Sequence, residues 1–309
     1  MVKVKPPVAL IAGPTASGKS ELALRLAEQS GGAIVNADSA QVYRDLPILS
    51  AAPSANERQR AEHLLYGVLD GAKSCSAADW AELAKIEITR LHGEGRLPIL
   101  VGGTGLYLRT LLDGIAPIPP IDPAIRAKVR GNSVAENLAE LTPLDPVAAT
   151  TLNPGDTTRI ARALEVVKST GRTLKEWQEE RAGGIGDAID LKPLVLLPPR
   201  PWLYERCDGR FAAMVEQGAL AEVEALLARG LDPNLPVMRA IGVAELGAHI
   251  LGELTLDQAI AAGQQATRRY AKRQYTWFAH QPPPDWPRFQ GQVEGTVVER
   301  ALALLGVAG

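Results

Sequence analysis

Cysteine is scarce in this sequence, with only Cys75 and Cys207 among its 309 residues. The two lie far apart, and neither has a neighbouring Cys or His at metal-ligand spacing. The sequence therefore indicates neither a disulfide framework nor a zinc site. A chain with so few cysteines fits a reducing compartment, and we expect a cytoplasmic protein.

Long apolar runs and an excess of one charge are also missing. Nothing approaches the roughly 20 consecutive apolar residues of a membrane span. The N-terminal segment reaches only a short apolar run at 8–12, too short for a signal sequence, so we expect no membrane partner. The formal net charge is -2 at pH 7. A nucleic-acid surface would therefore need locally clustered basic residues.

The composition is that of an ordinary globular protein, with 46% hydrophobic and 22% charged residues. The length exceeds that of a single compact core, which favours two domains. Short apolar runs that predict buried strands lie at 8–12, 33–37 and 97–101. Helical patterns lie at 21–28, 77–92 and 106–112, and Ser76 is a candidate N-cap for the second of these. This alternation predicts an α/β fold with a parallel, doubly wound sheet and helices on both faces.

A proline-rich segment at 114–123 ends this alternation, because Pro disfavours helix interiors and central strands. The helix-like stretches after it, with no strand between them, are 124–130, 134–141, 146–152, 156–169 and 174–181. A further strand is predicted at 194–197, flanked by Pro193 and Pro198. Helical patterns then occupy 202–217, 220–229, 242–251 and 256–277. We predict a first part of the α/β core at 1–115, an inserted all-helical domain at 116–190, and core completion with C-terminal helices at 191–309.

A phosphate-binding P-loop follows the first predicted strand and consists of Gly13, Pro14, Thr15, Ala16, Ser17, Gly18, Lys19 and Ser20. Its glycines let successive backbone N–H groups turn toward phosphate oxygens. Lys19 adds a charge, the Ser20 hydroxyl is suited to Mg²⁺, and the following helix contributes its N-terminal dipole. The pattern predicts a site for a diphosphate or triphosphate, ATP included, and does not say which.

A carboxylate at Asp38 follows the second predicted strand, whereas the strand at 97–101 is followed by Gly102, Gly103 and Thr104 without one. Because the carboxyl ends of parallel strands share one crevice, Asp38 should face the P-loop as a general base or metal ligand. The alternative is that Asp38 only caps the next turn. Ser39 and Gln41 could offer hydrogen bonds to a base. Thr104 lies on the same rim, or only satisfies local backbone.

Basic residues cluster near the end of the chain, where no carboxylate occurs between Gln258 and Pro284. Those on one face of the predicted helix are Arg268, Arg269, Lys272 and Arg273. Such a face is either solvated or bound to nucleic acid. Tyr270 and Tyr275 could stack on bases or pack inward. In the inserted block, Arg159 and Arg162 could grip phosphates, although Glu165 lies one turn away. Further basic residues crowd the start of the same block, namely Arg126, Lys128 and Arg130.

These motifs resemble those of tRNA dimethylallyltransferases. The P-loop, then Asp38-Ser39-Ala40-Gln41-Val42-Tyr43, then Val101-Gly102-Gly103-Thr104-Gly105-Leu106-Tyr107 are similar to that family's three N-terminal motifs. The resemblance continues in the same order through 159–166, 239–242 and 267–274, and so spans nearly the whole chain. Val243 and Ala244 depart from the family pattern, so we expect no base contact from them. The lack of zinc-finger cysteines resembles the bacterial form.

The resemblance implies a P-loop NTPase-like fold and transfer of a dimethylallyl group from dimethylallyl diphosphate to N6 of adenine 37, beside the tRNA anticodon. It implies that the P-loop holds the diphosphate, that Thr15 and Lys19 contact it, and that Ser20 binds Mg²⁺. Asp38 would be the base, and Arg210 would neutralise the leaving group. The residues that would contact tRNA are Asp38, Ser39, Ala40, Gln41, Thr104, Arg126, Arg159, Arg162, Arg239, Arg268, Arg269, Lys272 and Arg273. We expect a monomer whose partner is the anticodon stem-loop.

Three other activities share parts of this pattern. An isopentenyltransferase acting on free adenine nucleotides would share the P-loop and the base, but would not need the inserted helices or the basic helix. A small-molecule kinase would use ATP at the P-loop. A nucleic-acid-binding NTPase is disfavoured because no Asp follows the strand at 97–101.

Overall fold

The structure is a computed structural model that describes residues 4–293 and 297–306. The chain forms two compact units. One contains the residues up to Leu112 and those from Ile185 onward, and the other is Asp113–Gly184. Among the described residues, no helix combines the length and apolarity that crossing a membrane requires.

The first unit is built on a six-stranded sheet. Its strands are β1 Pro7–Ala12, β2 Ala33–Asn36, β3 His63–Leu64, β4 Pro98–Gly102, β5 Asp190–Leu196 and β6 Arg288–Phe289. Their order is β3-β2-β4-β1-β5-β6, and every neighbouring pair is parallel. The predicted parallel sheet is confirmed. Because β4 lies between β1 and β2, the loops that follow these three strands meet at one edge.

The helices surround this sheet or form the second unit. Those before the second unit are α1 Lys19–Ser30, α2 Ala55–Arg60, α3 Ala77–Gly93 and α4 Gly105–Asp113. Those of the second unit are α5 Pro123–Gly131, α6 Val134–Leu141, α7 Pro146–Thr151, α8 Thr157–Thr170 and α9 Leu174–Glu179. Those after it are α10 Arg200–Glu216, α11 Ala219–Ala228, α12 Val243–Ile250, α13 Leu256–His280 and α14 Val297–Ala303.

Both faces of the sheet are covered, as predicted. Side chains alternate between faces along a strand, so Ala9 and Ile11 of β1 pack with α1 and α14. Val8 and Leu10 point the other way, into a core shared with α3, α4 and α10 to α13. All four of these β1 side chains are completely buried. The sheet is therefore a central layer whose loops, rather than faces, are open to ligands.

The predicted N-cap of α3 is confirmed. The Ser76 hydroxyl accepts a hydrogen bond from the Asp79 amide, and the Asp79 carboxylate accepts one from the Ser76 amide. Together they satisfy two N–H groups that the helix start would leave unpaired.

Strand β5 begins earlier than predicted, because Pro193 lies inside it rather than flanking it. Pro193 is opposite Leu10 of β1, while β6 pairs only with Val195 and Leu196. The Val195 and Leu197 amides donate toward the β6 side, so the nitrogen of Pro193 faces the same, still unpaired, side. A proline costs no ladder hydrogen bond there.

Among the α-helices and β-strands, four short ones were not predicted. They are α2, β3, β6 and α14. β3 and β6 have two residues each, too few to show an alternating pattern. The C-terminal part is therefore not purely helical, since β6 completes the sheet within it.

The second unit is all-helical and has its own core, formed mainly by Val129, Leu141, Ile160, Leu164 and Val167. Each of its five helices starts with a side-chain N-cap. The capping residues are Asp122, Ser133, Asp145, Asp156 and Thr173. Each of these helix starts is thus stabilised by a residue next to it in sequence.

Candidate active site

The P-loop connects β1 to α1, and its glycines occupy conformations that a side chain would disturb. Gly13 has φ 154° and Gly18 has φ 93°. A Cβ atom at Gly13 would lie 2.6 Å from the Leu196 carbonyl oxygen. Both glycines are therefore required by the backbone path and not only by a ligand.

Lys19 lies at the start of α1 and is folded back over the loop. Its Nζ donates a hydrogen bond of 2.6 Å to the Pro14 carbonyl. Burial lowers the pKa of Lys19 to about 8, the Asp38 carboxylate opposes this shift, and Arg210 adds to it. A dianionic ligand in the loop would restore the preference for the charged form.

Two arginines of α10 lie beside the P-loop. Arg210 donates to the Thr15 hydroxyl, and Arg206 donates to the Ala16 carbonyl at 3.1 Å. Burial lowers the pKa of the Arg210 guanidinium. Arg206 was not among the predicted site residues. Its position one helical turn before Arg210 was the available signal, because residues four apart share a helix face.

A buried glutamine of α13 joins two of the loops at the sheet edge. The Gln274 side chain accepts a hydrogen bond from the Thr15 amide and donates one to the Gly103 carbonyl, both at 2.8 Å. The P-loop is therefore tied to the loop after β4. Sequence reasoning noted Gln274 only as the end of a motif and gave it no role.

Asp38 is held in place by Asn36, the completely buried last residue of β2. The Asn36 amide accepts from the Asp38 N–H at 2.8 Å and donates to the Asp38 carbonyl at 3.0 Å. The carboxylate also accepts from the Ala40 amide at 3.0 Å. Asp38 thus caps its own turn, which is one of the two roles considered for it, and still lines the cavities described next.

Two cavities lie at the ends of these strands. The phosphate cavity, of about 600 Å³, is lined by most of the P-loop together with Asp38, Arg206 and Arg210. The apolar cavity, of about 300 Å³, is lined largely by Tyr43, Leu46, Leu49, Tyr107, Phe211, Met214 and Val237. The residues that line both are Thr15, Asp38, Ser50 and Arg210. Asp38 therefore lies where the cavity around the P-loop and the two arginines of α10 meets an apolar cavity.

The residues beside Asp38 are less free than predicted. The Thr104 hydroxyl accepts from the Ser39 amide at 2.9 Å and lies 3.2 Å from the Ser39 hydroxyl. Gln41 donates its side-chain amide to the carbonyls of Ser50 and Ala51. Thr104 therefore serves local structure, and the Gln41 N–H groups are used within the protein. Among the predicted base contacts here, Ser39 and Ala40 line the apolar cavity.

The basic face of α13 is divided. Arg269, Lys272 and Arg273 are exposed along an open groove that also includes Trp277 and His280. Arg268 instead pairs with Asp208 of α10. Three of the four predicted cations thus remain available on one surface.

The two tyrosines of α13, which were predicted either to stack on bases or to pack inward, lie in different surroundings. Tyr270 lines the apolar cavity, and burial followed by the nearby Asp38 carboxylate raises the pKa of its hydroxyl. Tyr275 packs inward, with Arg200 4.7 Å above its ring. Arg239, another predicted tRNA contact, lines the apolar cavity and donates to Asn234 at 2.7 Å.

In the second unit, three arginines surround a completely buried carboxylate. Glu165 lies 2.8 Å from Arg130, 3.8 Å from Arg162 and 4.0 Å from Arg126. The guanidinium groups stay at least a third exposed. The predicted partner Arg159 is separate and pairs with Asp156 at 3.3 Å. Sequence reasoning noted Glu165 as a neighbouring charge and missed that it organises the cluster.

In the described part of the chain, no group of three or more His, Cys, Asp or Glu side chains could hold a metal ion. Ser20 is exposed and lines the phosphate cavity. A hydroxyl oxygen is a suitable ligand for Mg²⁺, but it would need phosphate oxygens and water to complete the coordination.

The proteins that are similar to this chain agree with the arrangement of its candidate active site. The model of the family described as IPP transferase matches residues 41–281. A tRNA dimethylallyltransferase from Erythrobacter litoralis is 62% identical over 291 residues, which cover 93% of this chain and 92% of that protein. The structure of the full-length tRNA isopentenylpyrophosphate transferase from Bacillus halodurans has a TM-score of 0.71 and 32% identity, covering 98% of this chain and 95% of that one. A eukaryotic dimethylallyltransferase acting on tRNA has a TM-score of 0.76 and 28% identity over 88% of this chain and 69% of its own.

Proposed function

This chain belongs to the IPP transferase family, and on that premise we propose that it transfers a dimethylallyl group from dimethylallyl diphosphate to N6 of adenine 37, beside the tRNA anticodon, with release of pyrophosphate. The observation that carries the proposal is the position of Asp38. Asp38 lines both the phosphate cavity, where Lys19 and the arginines of α10 could bind a diphosphate, and the apolar cavity, which could accept a prenyl group or a base. A transferase needs a proton acceptor at that junction.

The chemistry follows from what each group can do. The adenine N6 forms a bond to the first carbon of the dimethylallyl group while the bond from that carbon to the diphosphate oxygen breaks. The exocyclic amine is a poor nucleophile, so Asp38 accepts its proton. Lys19, Arg206 and Arg210 stabilise the negative charge that accumulates on the departing pyrophosphate.

Mg²⁺ is part of the proposal. Ser20 supplies one oxygen ligand at the phosphate cavity, and the diphosphate itself would supply others. A bound Mg²⁺ would withdraw charge from the leaving group. The need for the ion should therefore be greatest when the donor is bound.

The acceptor is proposed to be the anticodon stem-loop of tRNA. A base cannot react while stacked, so the target adenine must be turned out into the apolar cavity beside Asp38. The exposed cations of α13 and of the second unit supply contacts to phosphates. Relatives of this chain are tRNA dimethylallyltransferases, and one structural neighbour acts on tRNA. We propose that the protein works as a monomer in the cytoplasm, where its two free cysteines would stay reduced.

The test is incubation of the protein with dimethylallyl diphosphate, Mg²⁺ and an anticodon stem-loop, followed by mass analysis of the nucleosides. The expected product carries the dimethylallyl group on the adenine, and ATP is not required. Asp38→Ala should abolish transfer but still bind pyrophosphate, whereas Asp257→Ala, at an exposed position of α13, should transfer normally. Unimpaired transfer by Asp38→Ala would contradict the role of the base.

Two further assays distinguish this activity from the alternatives: competition between free AMP and the stem-loop, and the dependence of product formation on ATP. If free AMP is prenylated in preference to the stem-loop, the protein is a nucleotide isopentenyltransferase. If product forms only with ATP and carries a phosphoryl group, the protein is a kinase.

A further inference from the structure

Ser50 lies in a tight turn between β2 and α2 that no sequence motif identified. The turn is closed by hydrogen bonds from the Ser50 amide to Leu46 and from the Ala51 amide to Ile48, at 3.0 and 2.9 Å. Ala51 has φ 54°, a left-handed conformation that costs energy for any residue except glycine. Such strain persists only where the surroundings impose it.

Two side chains hold this turn, one close to it in sequence and one distant. Gln41 donates to the carbonyls of Ser50 and Ala51, at 2.9 and 2.8 Å. The Glu222 carboxylate of α11 accepts from the amides of Ile48 and Leu49, at 2.7 and 2.9 Å. Burial raises the pKa of Glu222, and these two amides oppose the shift. The turn is therefore held by four side-chain hydrogen bonds, and it lines the phosphate cavity together with the P-loop.

The Ser50 hydroxyl is the group that this turn leaves unused. Its oxygen is buried and has no hydrogen-bond partner among the described residues. Ser50 also lines both cavities, a property it shares with Thr15, Asp38 and Arg210. A buried hydroxyl without a partner costs free energy, and a ligand held in the adjoining cavities could recover that cost by accepting its hydrogen bond.

We propose that the Ser50 hydroxyl donates a hydrogen bond to the diphosphate of the prenyl donor and is a further catalytic residue; this rests on the proposed function. Ser50 is a neutral donor at the junction where the carbon–oxygen bond breaks. It complements Lys19 and Arg210, which carry charge. A hydrogen bond to an oxygen that gains negative charge strengthens as the bond breaks, so the contact accelerates the reaction as well as binding the donor.

The diphosphate is better supported than the adenine as the acceptor of the hydrogen bond from the Ser50 hydroxyl. Ser50 lines the phosphate cavity with Lys19, Ser20 and Arg206, whereas Ser39 and Ala40 line only the apolar one. The adenine amine also needs a proton acceptor, and Asp38 already provides it. A hydroxyl that donates to an anion gains more than one that exchanges hydrogen bonds with a neutral amine.

The test compares Ser50→Ala with Ser50→Thr, which keeps the hydroxyl, and with Ser169→Ala. Ser169 is a matched control, because its hydroxyl is also buried and unpartnered in the described structure but lines neither cavity. We expect Ser50→Ala to lower kcat/KM for dimethylallyl diphosphate and the affinity for pyrophosphate by about 10- to 100-fold, as for a lost hydrogen bond to a charged group. KM for the stem-loop should not change. Ser50→Thr should restore most of the loss, and Ser169→Ala should behave as wild type.

Two results would overturn the inference. Unchanged turnover and pyrophosphate affinity in Ser50→Ala would show that the hydroxyl touches no substrate. A higher KM for the stem-loop with unchanged pyrophosphate affinity would assign the hydroxyl to the adenine. Pyrophosphate binding is measured by calorimetry without transfer, so this test is independent of whether the wild type prenylates tRNA. If Ser50→Ala unfolds, Ser50→Cys, which replaces a strong donor with a weak one, should give the same pattern.

Discussion

The ammonium group of Lys19 is poised to respond to pH. Burial lowers its pKa to about 8 and Arg210 adds to the shift, while the Asp38 carboxylate opposes it. Because the shift is downward, Lys19 is charged below about pH 8 and neutral above it. Its attraction for a diphosphate is therefore present on the acid side of that value and lost on the alkaline side.

We expect the affinity for inorganic pyrophosphate to fall as the pH rises through about 8. One pH unit above its pKa, only about a tenth of Lys19 remains charged. Calorimetric titration on both sides of that pH measures the fall. Pyrophosphate also ionises over this pH range, and its ionisation affects binding to the wild type and to Lys19→Met equally. The difference in affinity between the two proteins therefore reports the ionisation of Lys19. Lys85→Met on α3 should match the wild type, and a constant difference between wild type and Lys19→Met across the range would contradict the prediction.

Single residues differ in how far their roles could be predicted. The position of Asp38 beside the P-loop followed from the shared edge of parallel strands, and the glycines of the P-loop followed from its turn. Asn36 and Ser50 could not be found in this way. Their roles depend on hydrogen bonds that exist only after folding, such as those of Gln41 to the Ser50 turn. A polar residue inside an apolar run was the only local sign of Asn36.

At the scale of elements, helix α13 combines a structural and an exposed face. Its buried side carries Gln274, which connects the loops after β1 and β4 and lies 259 residues from Thr15 in the sequence. Its exposed side carries the cations Arg269, Lys272 and Arg273. The helix thus fixes the shape of the phosphate cavity while presenting charge to solvent.

Gln274→Leu should loosen the P-loop. The substitution leaves the Thr15 amide and the Gly103 carbonyl without partners, which we expect to cost about 1–3 kcal/mol of unfolding free energy. Pyrophosphate affinity should fall as well, because the loop amides are no longer held in position. Urea unfolding and calorimetry measure the two effects. Gln265→Ala, on the exposed side of α13, is the control, and normal pyrophosphate binding by Gln274→Leu would show that the loop keeps its shape unaided.

Elements with local signals were predicted well, and those without were missed. The helix-like stretch predicted at 134–141 matches the observed helix, and in the structure Ser133 and Glu136 form a capping box at its start. The strand β6 has two residues and gains its stability from pairing with β5, far away in sequence. Periodicity needs several residues to be visible, so β3 and β6 could not be identified.

For the whole molecule, the placement of charge matters more than its total. The net charge of -2 gives no general attraction for RNA. The exposed cations of α13 are one local group. In the second unit, the cluster formed by Arg126, Arg130 and Arg162 around Glu165 is another, with a formal charge of three positive groups against one negative. Binding of tRNA should depend on such clusters and be weakened by salt.

Two double variants with the same change in net charge test this dependence. Arg126→Ala with Arg162→Ala should weaken binding of the anticodon stem-loop and lower the slope of log affinity against log salt by about 2, one for each lost phosphate contact. The fold should survive, because Arg130, the nearest partner of Glu165 at 2.8 Å, remains.

The control is Arg25→Ala with Lys85→Ala, which removes equal charge from α1 and α3 and should leave the slope unchanged. Fluorescence anisotropy between about 50 and about 200 mM salt measures both. Because neither pair lines the phosphate cavity, pyrophosphate affinity should be unaffected in both. Equal slopes in the two double variants would mean that net charge, and not the cluster around Glu165, governs RNA binding.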